Sequence, residues 1–119
     1  MPVRVILYVE NHDVFRRVVT TQFLADLEVR TAASIEGAKA LLANEAFDCV
    51  LVDYDLDDGK GAELVRWCRA SGVDVPIIGV SSHEDGNAAL LDAGADDICP
   101  KARFRELRAM IDRVRHPLS

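Results

Sequence analysis

The sequence is poor in cysteine, has no long apolar run and carries no excess of basic residues. Its three cysteines are odd in number and far apart, with no C-x-x-C pair, so a disulfide framework and a zinc site both fit it poorly. No apolar stretch approaches the roughly 20 residues that cross a bilayer, and the N-terminal MPVRVILYVE has no small-residue cleavage site. We therefore read that segment as a first strand, exclude a membrane span and expect a cytoplasmic protein.

Acidic residues outnumber basic ones by 20 to 14, and the net charge is −6. Nucleic-acid binding needs a basic face, so this balance argues against it. Half of the 119 residues are hydrophobic and 29% are charged, a composition typical of a globular domain large enough for one core. Because no linker, repeat or low-complexity segment appears, we predict a single domain over residues 1–119, with no output domain.

Strand patterns recur at regular intervals along the chain. Two nearly continuous apolar runs, VRVILYV (3–9) and CVLVD (49–53), predict strands that are buried on both faces of a sheet. Three shorter runs complete the predicted strands: EVRTAA (28–33), VPIIGVSS (75–82) and DICP (97–100).

A helix is predicted after each strand. The features that mark these five helices are a start near Asp13, an N-cap at Ser34, a start at Gly59–Gly61, the run AALLDAG (88–94), and Phe104, Leu107, Ile111 and Val114 on one face. Strict alternation with short connections predicts an α/β fold, in which a doubly wound, five-stranded parallel sheet is covered by five helices.

Polar residues stand where the predicted strands end, which is the edge at which such sheets bind ligands. They are Glu10, Asn11, Asp53, Ser81, Ser82 and Lys101. Each type fits phosphoryl transfer to a carboxylate. An aspartate is ionised at pH 7 and needs no general base as a nucleophile. Mg²⁺ binds one or two carboxylates, while lysine and serine bind phosphoryl oxygens.

This ordered set, in which GADDICPK ends at Lys101, resembles the receiver domain of two-component response regulators over essentially the whole chain. The resemblance implies the flavodoxin-like strand order 2-1-3-4-5. It implies that Asp53 accepts a phosphoryl group from a histidine kinase or a histidine phosphotransfer protein. Ser81 corresponds to the switch hydroxyl and Lys101 to the family's lysine. The domain would then be a phospho-acceptor, with at most slow self-dephosphorylation, and not an enzyme.

The resemblance also implies a Mg²⁺ site. Glu10 and Asn11 stand where the family has its acidic metal pair, Asp53 is a further ligand, and Asp55 stands where a backbone carbonyl completes the metal shell. Asn11 replaces a carboxylate that usually binds the metal directly. We therefore expect Mg²⁺ to bind weakly.

Two further positions depart from the family pattern. Ala102 stands where proline commonly follows the lysine, and a non-proline cis bond costs about 2.5–4 kcal/mol, so we expect a trans bond there. Ile98 occupies the place of an aromatic rotamer switch. The family's output surface would here present Asn87, Leu90, Leu91, Arg103, Arg105 and Arg108. An acidic partner or a homodimer contact is therefore expected, and the output protein itself is unknown.

Several alternatives stay open. The domain could be a pseudo-receiver that signals through contacts without being phosphorylated, as Asn11 suggests. DYDLD also matches the opening motif of haloacid-dehalogenase-like phosphatases, although those keep it near the N-terminus. On plainer readings, Asp53 is a loop acid, Lys101 is a solvated lysine, and Asn11 or Asp13 caps the first helix.

Overall fold

The computed structural model describes residues 5–115. Five strands form the central sheet: β1 Val5–Val9, β2 Glu28–Ala32, β3 Cys49–Val52, β4 Ile77–Gly79 and β5 Asp97–Ile98. The helices are α1 Asp13–Val18, α2 Ile35–Asn44, α3 Gly61–Ala70, α4 Glu84–Ala93 and α5 Leu107–Arg115. Shorter elements are a π-helical turn, Val19–Phe23, a 3₁₀ turn, Lys101–Glu106, and a hairpin of Asp55–Leu56 with Gly59–Lys60.

All neighbouring strands of the central sheet are parallel, in the order β2-β1-β3-β4-β5. Val9 pairs with Ala32 on one side and Val52 on the other, while Val52 pairs with Gly79 and Gly79 with Ile98. The carboxyl ends of the strands therefore lie along one edge. The predicted doubly wound sheet and its order 2-1-3-4-5 are confirmed.

Successive side chains of the buried strands face opposite sides of the sheet and enter two separate cores. Ile6 and Tyr8 of β1 pack on the side covered by α1 and α5, whereas Leu7 and Val9 pack against α2 and α3. This explains why β1 and β3 are nearly continuous apolar runs. All three cysteines are buried and free.

Element ends differ from the sequence-based expectation in several places. The fourth strand, predicted over 75–82, is limited to Ile77–Gly79, and Pro76, which has no N–H to donate, lies directly before its start. The fourth helix begins at Glu84 rather than at residue 88. That earlier start places Asn87 and Leu90 in the core, where 2% and 0% of their surfaces are exposed. The expectation that both lie on an output surface was wrong. Leu91, 43% exposed, does lie on the surface.

Helix capping gives both a confirmation and two corrections. Ser34 caps α2, because its Oγ accepts a hydrogen bond from the Gly37 N–H at 3.0 Å. The cap position of α1 is His12, without a side-chain cap bond, so the reading of Asn11 or Asp13 as that cap was wrong. Asp58, predicted as plain loop, accepts hydrogen bonds from the first two N–H groups of α2.

No peptide bond in the described residues is cis, so the bond between Lys101 and Ala102 is trans, as expected. Residues 3 and 4 of the first predicted strand lie outside the described range. Within residues 5–115, no helix has the length and apolarity needed to cross a bilayer.

Candidate functional site

Three charged side chains from three strand ends meet in a buried cluster. The Lys101 Nζ lies 2.7 Å from Glu10 Oε1 and 3.3 Å from Asp53 Oδ2. Glu10 follows β1, Asp53 follows β3, and Lys101 opens the 3₁₀ turn after β5. Glu10 is fully buried, Asp53 is 6% exposed, and 8% of the Lys101 side chain is exposed. The plain reading of Lys101 as a solvated lysine was therefore wrong.

Glu10 is held by hydrogen bonds on all sides. The Tyr8 hydroxyl donates to its Oε1 at 3.1 Å, and the His12 N–H donates to its Oε2 at 3.3 Å. The Arg16 guanidinium donates to its backbone carbonyl. Burial, with the Glu10 charge, raises the pKa of Tyr8, which stays a neutral donor. Sequence reasoning missed Tyr8, although it lies two residues before Glu10, on the same face of the chain.

Asp53 lies among opposing electrostatic influences. Burial and the neighbouring Glu10 charge raise its pKa to about 7, while Lys101 and the Tyr54 N–H act in the opposite direction. Two carboxylates thus share one ammonium group in a site largely closed to water. The cluster is one positive charge short when both acids are ionised.

That charge deficit and the oxygen donors fit a small divalent cation such as Mg²⁺. Glu10 and Asp53 supply two buried carboxylates for it, but the described residues contain no group of three or more His, Cys, Asp or Glu side chains able to hold a metal. Asn11 is exposed, beside the buried Glu10. The Asp55 carboxylate is exposed and pairs with Lys60, which leaves only its backbone for the predicted role.

Ser81 lies at the end of β4 and is 2% exposed. Its Oγ accepts a hydrogen bond from the His83 N–H at 3.1 Å, and its carbonyl accepts one from the Lys101 N–H at 3.3 Å. The Asn87 amide bonds both the N–H and the carbonyl of Ser81, each at 3.0 Å. Asn87 therefore fixes the backbone that carries this hydroxyl, a role that the sequence alone did not indicate.

Two glycines allow helices to approach these strand ends closely. A Cβ on Gly61, the first residue of α3, would lie 1.9 Å from the Asp53 carbonyl oxygen. A Cβ on Gly86 in α4 would lie 2.7 Å from Ser81 Oγ. Any larger residue at either position would displace a residue of the site.

The described residues also form a cavity of about 480 Å³. Its lining residues come from the segment before β4, the end of α3, the loop before β5 and α5: Arg69, Asp74, Val75, Pro76, Asp96, Arg113 and Val114. Two of them, Arg69 and Asp96, form an ion pair at 3.0 Å. The cavity lies at the opposite edge of the sheet from the cluster of Glu10, Asp53 and Lys101.

The sequence matches a known protein family over most of its length. The family model for the response regulator receiver domain matches residues 6–112. The chain belongs to this family of receiver domains. It is therefore a signalling domain of two-component systems, as its sequence resemblance implied.

Curated relatives of this receiver domain are response regulators. The chain is 35% identical over 97 residues to response regulator protein PilR of Pseudomonas aeruginosa, covering 76% of this chain and 22% of PilR. It is 34% identical over 98 residues to KdpE of Escherichia coli, covering 81% of this chain and 44% of KdpE. It is 34% identical over 103 residues to the two-component response regulator ORR42 of rice, covering 83% of this chain and 78% of ORR42. The chain thus spans less than half of PilR and KdpE.

Solved structures confirm the fold of the receiver domain. The receiver domain of the Pseudomonas aeruginosa sensor histidine kinase PA1611, solved with a magnesium ion in its active site cleft, superposes with a TM-score of 0.86. Identity is 25%, and the match covers 96% of this chain and 98% of that one. TrrA of Thermotoga maritima, solved in complex with Mg²⁺-BeF, gives a TM-score of 0.84 at 22% identity. The match covers 93% of this chain and 98% of the TrrA chain.

Proposed function

We propose that this receiver domain accepts a phosphoryl group on Asp53 and signals to a partner through the conformational change that follows. The observation that carries the proposal is the buried contact of the Asp53 carboxylate with Lys101, beside Glu10. A histidine kinase or a histidine phosphotransfer protein would be the donor. An Asp53 oxygen would form the new P–O bond as the P–N bond to the donor histidine breaks, and the departing imidazole would keep the electron pair.

Electrostatics explain why these particular residues suit the reaction. Asp53 must be ionised to attack, and a pKa of about 7 leaves much of it protonated at neutral pH. Lys101 favours the ionised carboxylate and offers its ammonium to the incoming phosphoryl oxygens. Ser81, whose backbone Asn87 fixes, would donate its hydroxyl to the same oxygens. The ionised fraction of Asp53 needs no general base.

Mg²⁺ is the expected cofactor. Glu10, Asp53, the backbone carbonyl of Asp55 and the Asn11 amide oxygen would hold it. Bound there, it would supply the positive charge that the two carboxylates and the transferred group require. Because Asn11 is neutral and exposed, we propose that binding is weak.

The decisive test is intact-mass measurement after treatment with acetyl phosphate, with and without Mg²⁺. The wild-type protein should gain one phosphoryl group, stable in acid and labile in base, as expected of an acyl phosphate. Asp53→Asn should gain none. Asp55→Asn is the matched control, because it removes an exposed carboxylate two residues away, and it should still be labelled. Equal labelling of Asp53→Asn would sink the assignment.

A second candidate is the pseudo-receiver, which Asn11 favours. It predicts no labelling of the wild-type protein with or without Mg²⁺, and the same mass measurement distinguishes the two. The family assignment favours either form of receiver over the haloacid-dehalogenase-like phosphatase.

The output partner remains a proposal. Exposed Leu91 and Arg105 are retained from the predicted surface. Arg103 is paired with Glu106, and Arg108 with Asp26 and Asp112, so fewer unpaired charges are offered to an acidic partner or a second copy than the sequence suggested.

A further inference from the structure

The Lys101 ammonium has a third neighbour besides its two carboxylates. Its Nζ lies 4.1 Å from the centroid of the Phe15 ring, well within the distance at which a cation is attracted to an aromatic face. The contact is shielded from water, because only 8% of the Lys101 side chain is exposed. The ammonium thus contacts three groups: the carboxylates of Glu10 and Asp53 and the ring of Phe15.

Phe15 is itself fixed by other aromatic rings. It meets Phe104 edge-on, with ring centroids 6.1 Å apart and planes at 81°, and it lies 5.1 Å from the His12 ring. Phe104 is 5% exposed and also contacts Phe23, with centroids 6.0 Å apart. The ring that faces the lysine is therefore partly buried and packed against the core, between α1 and the last helical segment.

Both partners of the Phe15 ring come from one short segment of the chain. Lys101 and Phe104 lie three residues apart in the helical turn that follows β5, and the backbone kinks between them at Arg103, whose φ of −118° and ψ of 29° are not helical. Phe15 of α1 contacts the Lys101 ammonium before this kink and the Phe104 ring after it. The same ring therefore connects the lysine of the site to a residue of the core.

We propose that Phe15 is a positioning residue, whose ring holds the Lys101 ammonium against Glu10 and Asp53 and so sets the rate of phosphoryl transfer to Asp53. This inference rests on the proposed function for its effect on rate, but not for its geometry. The alternative is that Phe15 only fills space in the core. A leucine would fill much of that space, but it offers no π face to the ammonium.

The first test is structural and needs no phosphorylation. Protons above a ring face resonate upfield, so the ε-methylene protons of Lys101 should be shifted upfield in wild-type protein with ¹³C-labelled lysine. Lys101→Met identifies the signal. It should move downfield in Phe15→Leu and stay in place in Phe15→Tyr. Lys39 and Lys60 serve as internal references, because their ammonium groups lie over Trp67 and Tyr54 instead.

The second test is the initial rate of labelling by acetyl phosphate with Mg²⁺. Phe15→Leu should be slower by about fivefold or more, and Phe15→Tyr should restore the rate. Phe23→Leu is the matched control. It removes a ring from the same cluster, and that ring is not among the groups that surround the ammonium in the described part of the chain. It should label at the wild-type rate.

The outcomes separate this inference from the proposed function. If wild-type protein is not labelled at all, the proposed function fails, and the lysine signal alone decides whether Phe15 positions Lys101. An unchanged Lys101 signal in Phe15→Leu overturns the inference. Equal slowing by Phe15→Leu and Phe23→Leu also overturns it, because general packing of the cluster would then explain the loss.

Discussion

Asp53 and Asp58 lie five residues apart in one acidic stretch, and their surroundings shift their pKa values in opposite directions. Burial beside Glu10 raises the pKa of Asp53 to about 7. Asp58 is exposed and accepts hydrogen bonds from the Ile35 N–H at 2.6 Å and the Glu36 N–H at 3.1 Å, and these donors lower its pKa. Since the side chains are identical, the difference comes entirely from the fold. Asp53, the carboxylate proposed to accept the phosphoryl group, is the one whose ionised form the fold disfavours.

The same contrast separates two lysines. Lys101 is buried and serves two carboxylates, whereas Lys60 is exposed and pairs with Asp55 alone. A buried charge that loses its partner is not solvated by water, whereas an exposed charge is. The two pairs therefore allow a direct test of how much burial contributes.

The largest expected effect comes from Lys101→Met, which keeps the apolar stem and removes the charge. It leaves Glu10 and Asp53 buried without a counter-charge, and breaking a buried pair in this way costs about 3 kcal/mol of unfolding free energy. Chemical denaturation at pH 8 with a chelator, which removes divalent cations, measures it. Asp53 would respond by taking up a proton, so the loss should shrink towards pH 5.

Lys60→Met is the control for that measurement. It removes an ammonium from an exposed pair at the hairpin, so the denaturation midpoint should barely move. If the two variants lost equal stability, burial would not make the Lys101 ion pairs contribute more to the unfolding free energy than the Lys60 pair, and the prediction would be wrong.

A smaller effect is expected in the pH dependence of stability. The pKa of Asp53 is higher in the folded protein than in the unfolded chain, so the folded state binds more protons between pH 4 and 7, and stability falls as pH rises through that range. Asp53→Asn removes this fall, and Lys101 keeps its contact with Glu10. In chelator, its Tm should therefore exceed that of wild type at pH 8 and approach it at pH 4.

Asp58→Asn should behave in the opposite way. The pKa of Asp58 is lowered by folding, so its charge stabilises the folded state above the unfolded pKa, and that contribution is lost as pH falls through the folded value. The variant should melt below wild type at neutral pH, and the two should converge in acid. Parallel pH profiles for Asp53→Asn and Asp58→Asn would contradict the contrast between these two aspartates.

Sequence reasoning reached the residues whose placement follows from topology. Parallel strand ends meet at one edge, so the convergence of Glu10, Asp53 and Lys101 was foreseeable from the strand pattern. Contacts that depend on how the helices pack on the sheet could not be predicted from the sequence. Asp58 accepts a hydrogen bond from the first N–H of a helix that starts 23 residues earlier, and Phe15 of α1 contacts Lys101, 86 residues further along the chain.

Asn87 shows the same limit within a single helix. The family resemblance placed it on the output surface, but α4 begins four residues before the predicted start and brings it under the end of β4. There its amide satisfies both backbone groups of Ser81. A buried asparagine with two backbone partners cannot be told from a surface one by residue type alone.

The last expected effect is on Mg²⁺ binding rather than on stability, and it concerns Asn11, an exposed residue next to the buried Glu10. Asn11→Asp adds a carboxylate at the edge of the proposed Mg²⁺ site, where water still screens charge. A unit charge and a divalent cation about 4 Å apart in water interact by about 2 kcal/mol, which corresponds to roughly thirtyfold tighter Mg²⁺ binding. Titration of Mg²⁺, followed through the backbone amides at the ends of β1 and β3 by NMR, measures the change.

Asn44→Asp is the matched control for that titration. It adds the same charge at an exposed position at the end of α2, which starts near the site and runs to the other edge of the sheet. Long-range attraction of the cation would strengthen binding in both variants, and added salt would remove it. A gain confined to Asn11→Asp would mark residue 11 as a metal ligand. Should the two variants bind Mg²⁺ equally, Asn11 does not reach the ion, and Glu10 and Asp53 are the only side chains of the predicted set left to hold it.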